Sequence, residues 1–275
     1  MSLNSVKGVD LKNIVNFLES FASVSLAEKW DNTGLLVEPI TPRPIKCVML
    51  TNDLTENVVK EALDVEAGLI VSYHPPIFKG LNRITKNSWK ERIIGTCLEN
   101  KIAIYSPHTS WDSVPGGVND WLAGAFDYSS IRPIEENNSV NVLNAGAGRF
   151  CVLKQEIKLC EAIQLVKKLT SLLQLNVAIA KDASLETKIR SVAICAGSGS
   201  SVLMNAKADL FLTGEMSHHT LLDAIHNSTN VILCNHSNSE RGFLKDFSKK
   251  LEAQYSAAEM KVHLSKEDRD PLQII

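Results

Sequence analysis

Apolar residues recur at helical spacing through Leu11–Phe21 (LKNIVNFLESF), which predicts an amphipathic helix packing one face on a sheet. After a turn at Trp30-Asp31-Asn32-Thr33-Gly34, read as a turn with a core tryptophan, the pattern changes to short apolar runs. KCVMLTND reads as a strand, TENVVKEALDV as a helix capped by Thr55, and GLIVSYH as a second strand stopped by Pro75-Pro76. Strand, helix and strand in that order form a βαβ unit and hence a parallel sheet. SWKERIIGTCLEN supplies another helix and IAIYS, at 102–106, a third strand.

The same grammar returns half a chain later. SVAICAGSGSS is a strand and turn, SVLMNA a short helix, and ADLFLTGEMSHH a strand ending in histidine; TLLDAIHN is a helix and VILCN, at 231–235, a strand. Residue identity between the halves is low, so the repeat is one of pattern. The expectation is an α/β fold, a single family domain over 1–275 built as two similar interlocked lobes with mostly parallel sheets. The lobes would be 1–127 and 142–275, joined by the polar connection 128–141 (YSSIRPIEENNSVN). In the second lobe AGAGRFCVLKQEI enters as a strand, and CEAIQLVKKLTSLLQL is a strongly periodic helix.

Composition narrows the function classes. The chain has 275 residues, 44% hydrophobic and 22% charged, with 29 basic against 31 acidic residues, ordinary for a globular protein. No basic run suggests direct nucleic-acid binding. The six cysteines sit mostly in apolar runs without Cys-x-x-Cys spacing, as expected of core thiols in a reducing compartment. No run has the length of a membrane span, and MSLNSVKGVDLKN lacks the features of a secretory or transit leader. A cytosolic location with nuclear access is the expectation.

Candidate chemistry lies at strand ends. His108-x-x-x-Asp112 and His236-x-x-x-Glu240 each follow an apolar run, and open α/β sheets gather ligands at the carboxyl ends of their strands. Imidazole nitrogen together with carboxylate oxygen suits zinc, iron or manganese. One such pair alone is more often a surface histidine beside a solvated carboxylate; two at equivalent places reverse that preference and predict a metal site in the cleft between the lobes. His74, fixed by Pro75-Pro76, has its counterpart in His218-His219, of which one helical step of about 100° lets only one face the cleft. Gly197-Ser198-Gly199-Ser200 is a strand-to-helix turn of the kind that holds an anion, or else a packing device. The G-x-x-x-x-G-K-[ST] and nucleophile-elbow patterns are absent.

Taken together, AEKWDNTGLLVE, LTNDLT, SYHPPIFKG, SPHTSWDSVPGGVNDWLA, AGAGR, SVAICAGSGSS, FLTGEMSHHTLLDA, HSNSERGF and LSKEDRDPLQII resemble the NGG-interacting-factor-three-like family, also described as the GTP cyclohydrolase I type 2 homolog family. Tyr-His-Pro-Pro and the DRDP ending resemble its eukaryotic branch. The resemblance implies a two-lobed α/β fold, a dinuclear site for one or two divalent ions, and dimers assembling into a ring-shaped hexamer. It places the metal ligands on His74, Asp112, His236 and Glu240, with His108 and His219 close by for proton transfer. At Tyr73 most bacterial members carry the first histidine of a His-His pair, so one ion loses an imidazole unless the phenol oxygen replaces it. Two functions follow as expectations. One is a metal-dependent hydrolase acting on a phosphorylated or nucleotide-like small molecule. The alternative is a non-enzymatic protein that binds a transcriptional co-regulator and in which metal is structural.

Overall fold

The computed structural model describes residues 6–138 and 140–272. The leader reading over residues 1–5 and the last three residues of the terminal motif lie outside them. In chain order the elements are α1 (Leu11–Phe21), β1 (Gly34–Val37), β2 (Cys47–Thr51), α2 (Glu56–Asp64), β3 (Leu69–Ser72), α3 (Trp89–Glu99) and β4 (Ala103–Ser106). Next come α4 (Thr109–Ser113), α5 (Val118–Ala123), β5 (Tyr128–Arg132), β6 (Glu135–Glu136), β7 (Gly146–Ala147), β8 (Arg149–Lys158) and α6 (Leu159–Thr170). Then follow β9 (Asn176–Ala178), β10 (Lys188–Cys195), α7 (Ser200–Leu203), β11 (Leu210–Thr213), α8 (His218–His226), β12 (Asn230–Leu233), α9 (Phe243–Gln254) and β13 (Lys261–Leu264).

The chain divides into two compact units, Met1–Trp111 with Leu244–Arg269, and Asp112–Phe243 with Asp270–Ile275. The first carries a sheet of order β1-β4-β3-β2-β13, parallel except where β1 runs against β4. β2, β3 and β4 are buried along their whole length, as unbroken apolar runs in a parallel sheet require. Met49, Ile70 and Ile104 from these strands pack with Val58 and Val59 of α2 and Ile93, Ile94 and Cys97 of α3. Thr55 caps α2 by accepting from the Val58 amide, as predicted. α1 has the predicted bounds, is capped by Asp10 and buries Ile14 and Leu18.

The end of the chain is latched to this unit at one carboxylate. Glu61 of α2 lies 2.9 Å from His263 Nε2 and accepts from Ser265 Oγ and the amides of Lys266 and Glu267. Burial alone would raise its pKa, but these hydrogen bonds outweigh that and hold it down to about 2.

The second unit carries the sheet β5-β8-β10-β11-β12-β9. β10, β11 and β12 are parallel, while β5, β8 and β9 make antiparallel pairs, so this sheet is more mixed than the pattern suggested. The run β9-β12-β11-β10 repeats β1-β4-β3-β2 in order and direction, which gives the repeat of pattern a structural basis. A buried Arg149 organises one side. Its Nε donates to Asp120 Oδ2 at 2.8 Å, and its two terminal nitrogens donate to the carbonyls of Gly146, Gly148, Ser113 and Val114. The AGAGR motif is thus a guanidinium set among the carbonyls of its own glycines.

Three expectations change. The boundary near 127 does not match the units, because α5 and β5 belong to the second, and α9 from Leu244 onward belongs with β13 to the first. The connection 128–141 contains β5 and β6. β11 ends at Thr213 and not at histidine, because Ser217 caps α8 by accepting from the Thr220 amide and draws His218 and His219 into the first helical turn. All six cysteines are free, and Cys47, Cys97, Cys151 and Cys234 are buried with their thiol pKa values raised by burial. Among the described residues no helix is long and apolar enough to cross a membrane.

Candidate functional site

The second residue past each central strand of the first unit carries an ionisable side chain. Asp53 follows β2, His74 follows β3 and His108 follows β4. A parallel sheet brings these positions to one edge because neighbouring strands end together. His74 Nδ1 lies 2.9 Å from Asp53 Oδ1, and the His74 and His108 ring centroids are 5.3 Å apart. His108 Nδ1 lies 2.7 Å from Oδ1 of Asp31, whose side chain is fully enclosed. Asp31 also accepts from the amide and hydroxyl of Thr109. Burial works against its charge, but these partners outweigh it and its pKa falls below the ordinary carboxylate value. Tyr73 is buried, its ring edge-on to both histidines. Asp268 of the DRDP segment accepts from the Asn52 amide at 2.7 Å, which ties the chain end to this edge.

The second unit repeats the plan with different side chains. Gly197 lies two residues past β10, Glu215 two past β11 and His236 three past β12. Asn235 takes a positive φ of 66° just before His236, and the short turn Ser237–Ser239 leads to Glu240, which is 3% exposed. His236 Nδ1 lies 2.9 Å from Glu215 Oε1, and its Nε2 lies 3.4 Å from Glu240 Oε1. Gly197, at φ +63°, borders this pair so closely that a Cβ there would meet Glu240 Oε1 at 2.6 Å and His236 Nε2 at 3.1 Å. The space beside the imidazole and carboxylate is therefore kept by glycine. Asp112 lies in α4 within the same unit; its carbonyl accepts from Asn119 Nδ2, while Asn119 Oδ1 accepts from the Ala196 amide. Burial and then the charge of Asp112, followed by Glu135 and Glu240, push the Cys195 thiol upward, so Asp112 and Glu240 act on one side chain.

Several expectations are redistributed. His218 and His219 are exposed, and the place equivalent to His74 is taken by Glu215. In the Gly197–Ser200 turn the Gly197 amide donates to Ser239 Oγ and the Gly199 amide to Thr213 Oγ1, so half of the proposed anion donors are spent internally. A Cβ at Gly199 would also strike the Cys195 and Thr213 side chains, which makes that glycine a packing device. Trp30 is not a core residue; it is 61% exposed. Sequence reasoning passed over Asp31, Asp53 and Glu215. Their signal was position, since Asp53 and Glu215 occupy the same place after a strand as His74.

Comparison with known proteins gives a consistent result. Residues 9–271 match the family described as Duf34/NIF3 (NGG1p interacting factor 3). A Drosophila melanogaster NIF3-like protein 1 is 52% identical over 271 residues, covering 98% of this chain and 91% of its own. The NGG1-interacting factor 3 of Saccharomyces cerevisiae is 37% identical, covering 98% of this chain and 99% of its own. In fold, a Bacillus cereus protein related to NIF3 superposes with a TM-score of 0.84 over 98% of this chain and all of its own, at 21% identity.

Proposed function

The chain belongs to the Duf34/NIF3 (NGG1p interacting factor 3) family, and we propose that it binds one or two divalent ions through His74, Asp112, His236 and Glu240 and hydrolyses a phosphorylated or nucleotide-like small molecule. His74 offers an imidazole nitrogen in the first unit, and His236 with Glu240 an imidazole nitrogen and a carboxylate oxygen in the second, donors of the kind that hold such ions. The observation that carries the reading is that His74 and His236 each set Nδ1 against a carboxylate, Asp53 or Glu215. That arrangement fixes the ring and directs Nε2 to ligation, as in carboxylate–histidine–metal triads. The donor set and the space that Gly197 leaves beside His236 and Glu240 fit zinc, iron or manganese.

A divalent cation would supply Lewis acidity to a substrate oxygen. His108, backed by Asp31, would carry the proton, in a role also expected of the exposed His219. Tyr73, buried against the His74 and His108 imidazoles, stands where a second imidazole would serve a second ion.

The test is elemental analysis of protein purified without added metal or affinity histidines, followed by a turnover screen over phosphorylated metabolites. The reading requires metal in the native protein, its loss in a folded His236→Ala variant, and metal-stimulated turnover that the variant lacks.

A second reading has its own support. The yeast relative's name describes an interaction with NGG1, which favours a protein partner; in this reading the partner is a transcriptional co-regulator and metal is a stabilising group. Bound metal without turnover in the screen would select it. Assembly into dimers and a hexamer belongs to either reading and is measured by sedimentation.

A further inference from the structure

We propose that Trp30 and Phe78 form a stacking platform for a planar heteroaromatic ring carried by the small molecule that this protein binds. The inference rests on the functional reading above and deepens it by naming part of the ligand. Trp30 is 61% and Phe78 42% exposed, although side chains of this size normally go inward. Their ring centroids are 6.0 Å apart at 65°, and each meets His108 edge-on, at 6.0 Å and 6.2 Å. The open aromatic surface therefore borders the imidazole assigned to proton transfer.

The exposure is built into the loop. Asp31, next to Trp30, is enclosed and receives His108 and Thr109; Asn32 is held in turn by donating Nδ2 to the Ile77 carbonyl, beside Phe78. Both rings thus stand on backbone anchored within one residue of them. Rings carried on an anchored loop spare the loop-ordering cost that ligand stacking would otherwise carry. Ring stacking is tolerant of ring identity because every planar ring offers a π-face, so the platform selects a class of ligand and not one member.

The experiment uses the full chain and calorimetric titration with AMP, GMP, CMP and nicotinic acid, with ribose 5-phosphate as the ringless control. Titrations are run once with chelator and once with zinc. The expected result is binding of at least one ring compound tighter than ribose 5-phosphate. Trp30→Ala and Phe78→Ala should each weaken it at least about tenfold, and Trp30→Phe should retain most of it. Binding of none of the ring compounds, or equal binding by both alanine variants, overturns the proposal. So does a change in sedimentation of these variants with ring binding intact, because the rings would then cover a second copy of the chain. The chelated titration tests the platform alone, while elemental analysis of the same preparations tests the metal reading, so the two can fail separately.

Discussion

Replacing Gly197 by alanine tests the packing on which the proposed site depends. Two costs can be worked out. At φ +63° an L side chain costs about 1–2 kcal/mol of backbone strain. The new Cβ would sit 2.6 Å from Glu240 Oε1, so the carboxylate must retreat by about 1 Å to reach ordinary contact. The backbone cannot move aside instead. The Gly197 amide is bonded to Ser239 Oγ, and its carbonyl accepts from the amides of Gly214 and Glu215. Overpacking of this kind costs about 1–3 kcal/mol. Together that is about 2–5 kcal/mol, and at roughly 2–4 °C per kcal/mol melting should fall by roughly 4–20 °C. Gly116 provides the control, because its φ of +75° imposes similar strain while a Cβ there meets nothing within 4 Å. Scanning fluorimetry of metal-free Gly197→Ala and Gly116→Ala isolates the steric cost, and zinc titration of each measures its effect on the site. Gly197→Ala should lose at least about tenfold in zinc affinity while Gly116→Ala keeps that of the native protein. If the two variants melt together and take up zinc alike, the reasoning is wrong.

Glu215→Gln should weaken zinc binding by about 10–100-fold through a less firmly oriented His236, yet move the metal-free melting by no more than about 0.5 kcal/mol because Glu215 is exposed; an unchanged zinc isotherm would count against it. Glu61 has a folded pKa of about 2 against an ordinary 4.5, so its contribution is complete above pH 4.5 and is lost as pH falls towards 2. Glu61→Gln should therefore flatten the acid limb of the melting profile in that window and speed amide exchange at Lys266 and Glu267; an unaltered limb refutes the latch. Arg149→Met should cost about 3–5 kcal/mol in urea unfolding, since it strands Asp120 and four carbonyls, and a variant as stable as the native protein would refute that network.

Local patterning made most of the architecture legible. α1 appears with its predicted bounds, and Thr55 caps α2, because apolar spacing and cap chemistry act within a few residues. The repeated strand–helix grammar correctly announced two parallel cores. What stayed hidden depends on partners remote in the chain. β13 pairs with β2, and Glu61 receives residues more than two hundred positions away, so neither has a local signature. Similarly, Asp53, Asp31 and Glu215 matter through imidazoles 21, 77 and 21 residues distant. Trp30 was misplaced by the general tendency of indoles to be buried, which its anchored loop overrides. α8 starts earlier than the strand pattern implied because Ser217 caps it just before His218 and His219.

The return of α9 and β13 to the first unit orders events during synthesis. Strands β2, β3 and β4 leave the ribosome early, but the strand that closes the β2 edge is made only after most of the other unit has been translated. A nascent chain must therefore carry an unpaired parallel edge through much of its translation, the interval in which exposed strands invite wrong partners. Synthesis of β13, rather than completion of the first three strands, is the moment at which this unit can lock.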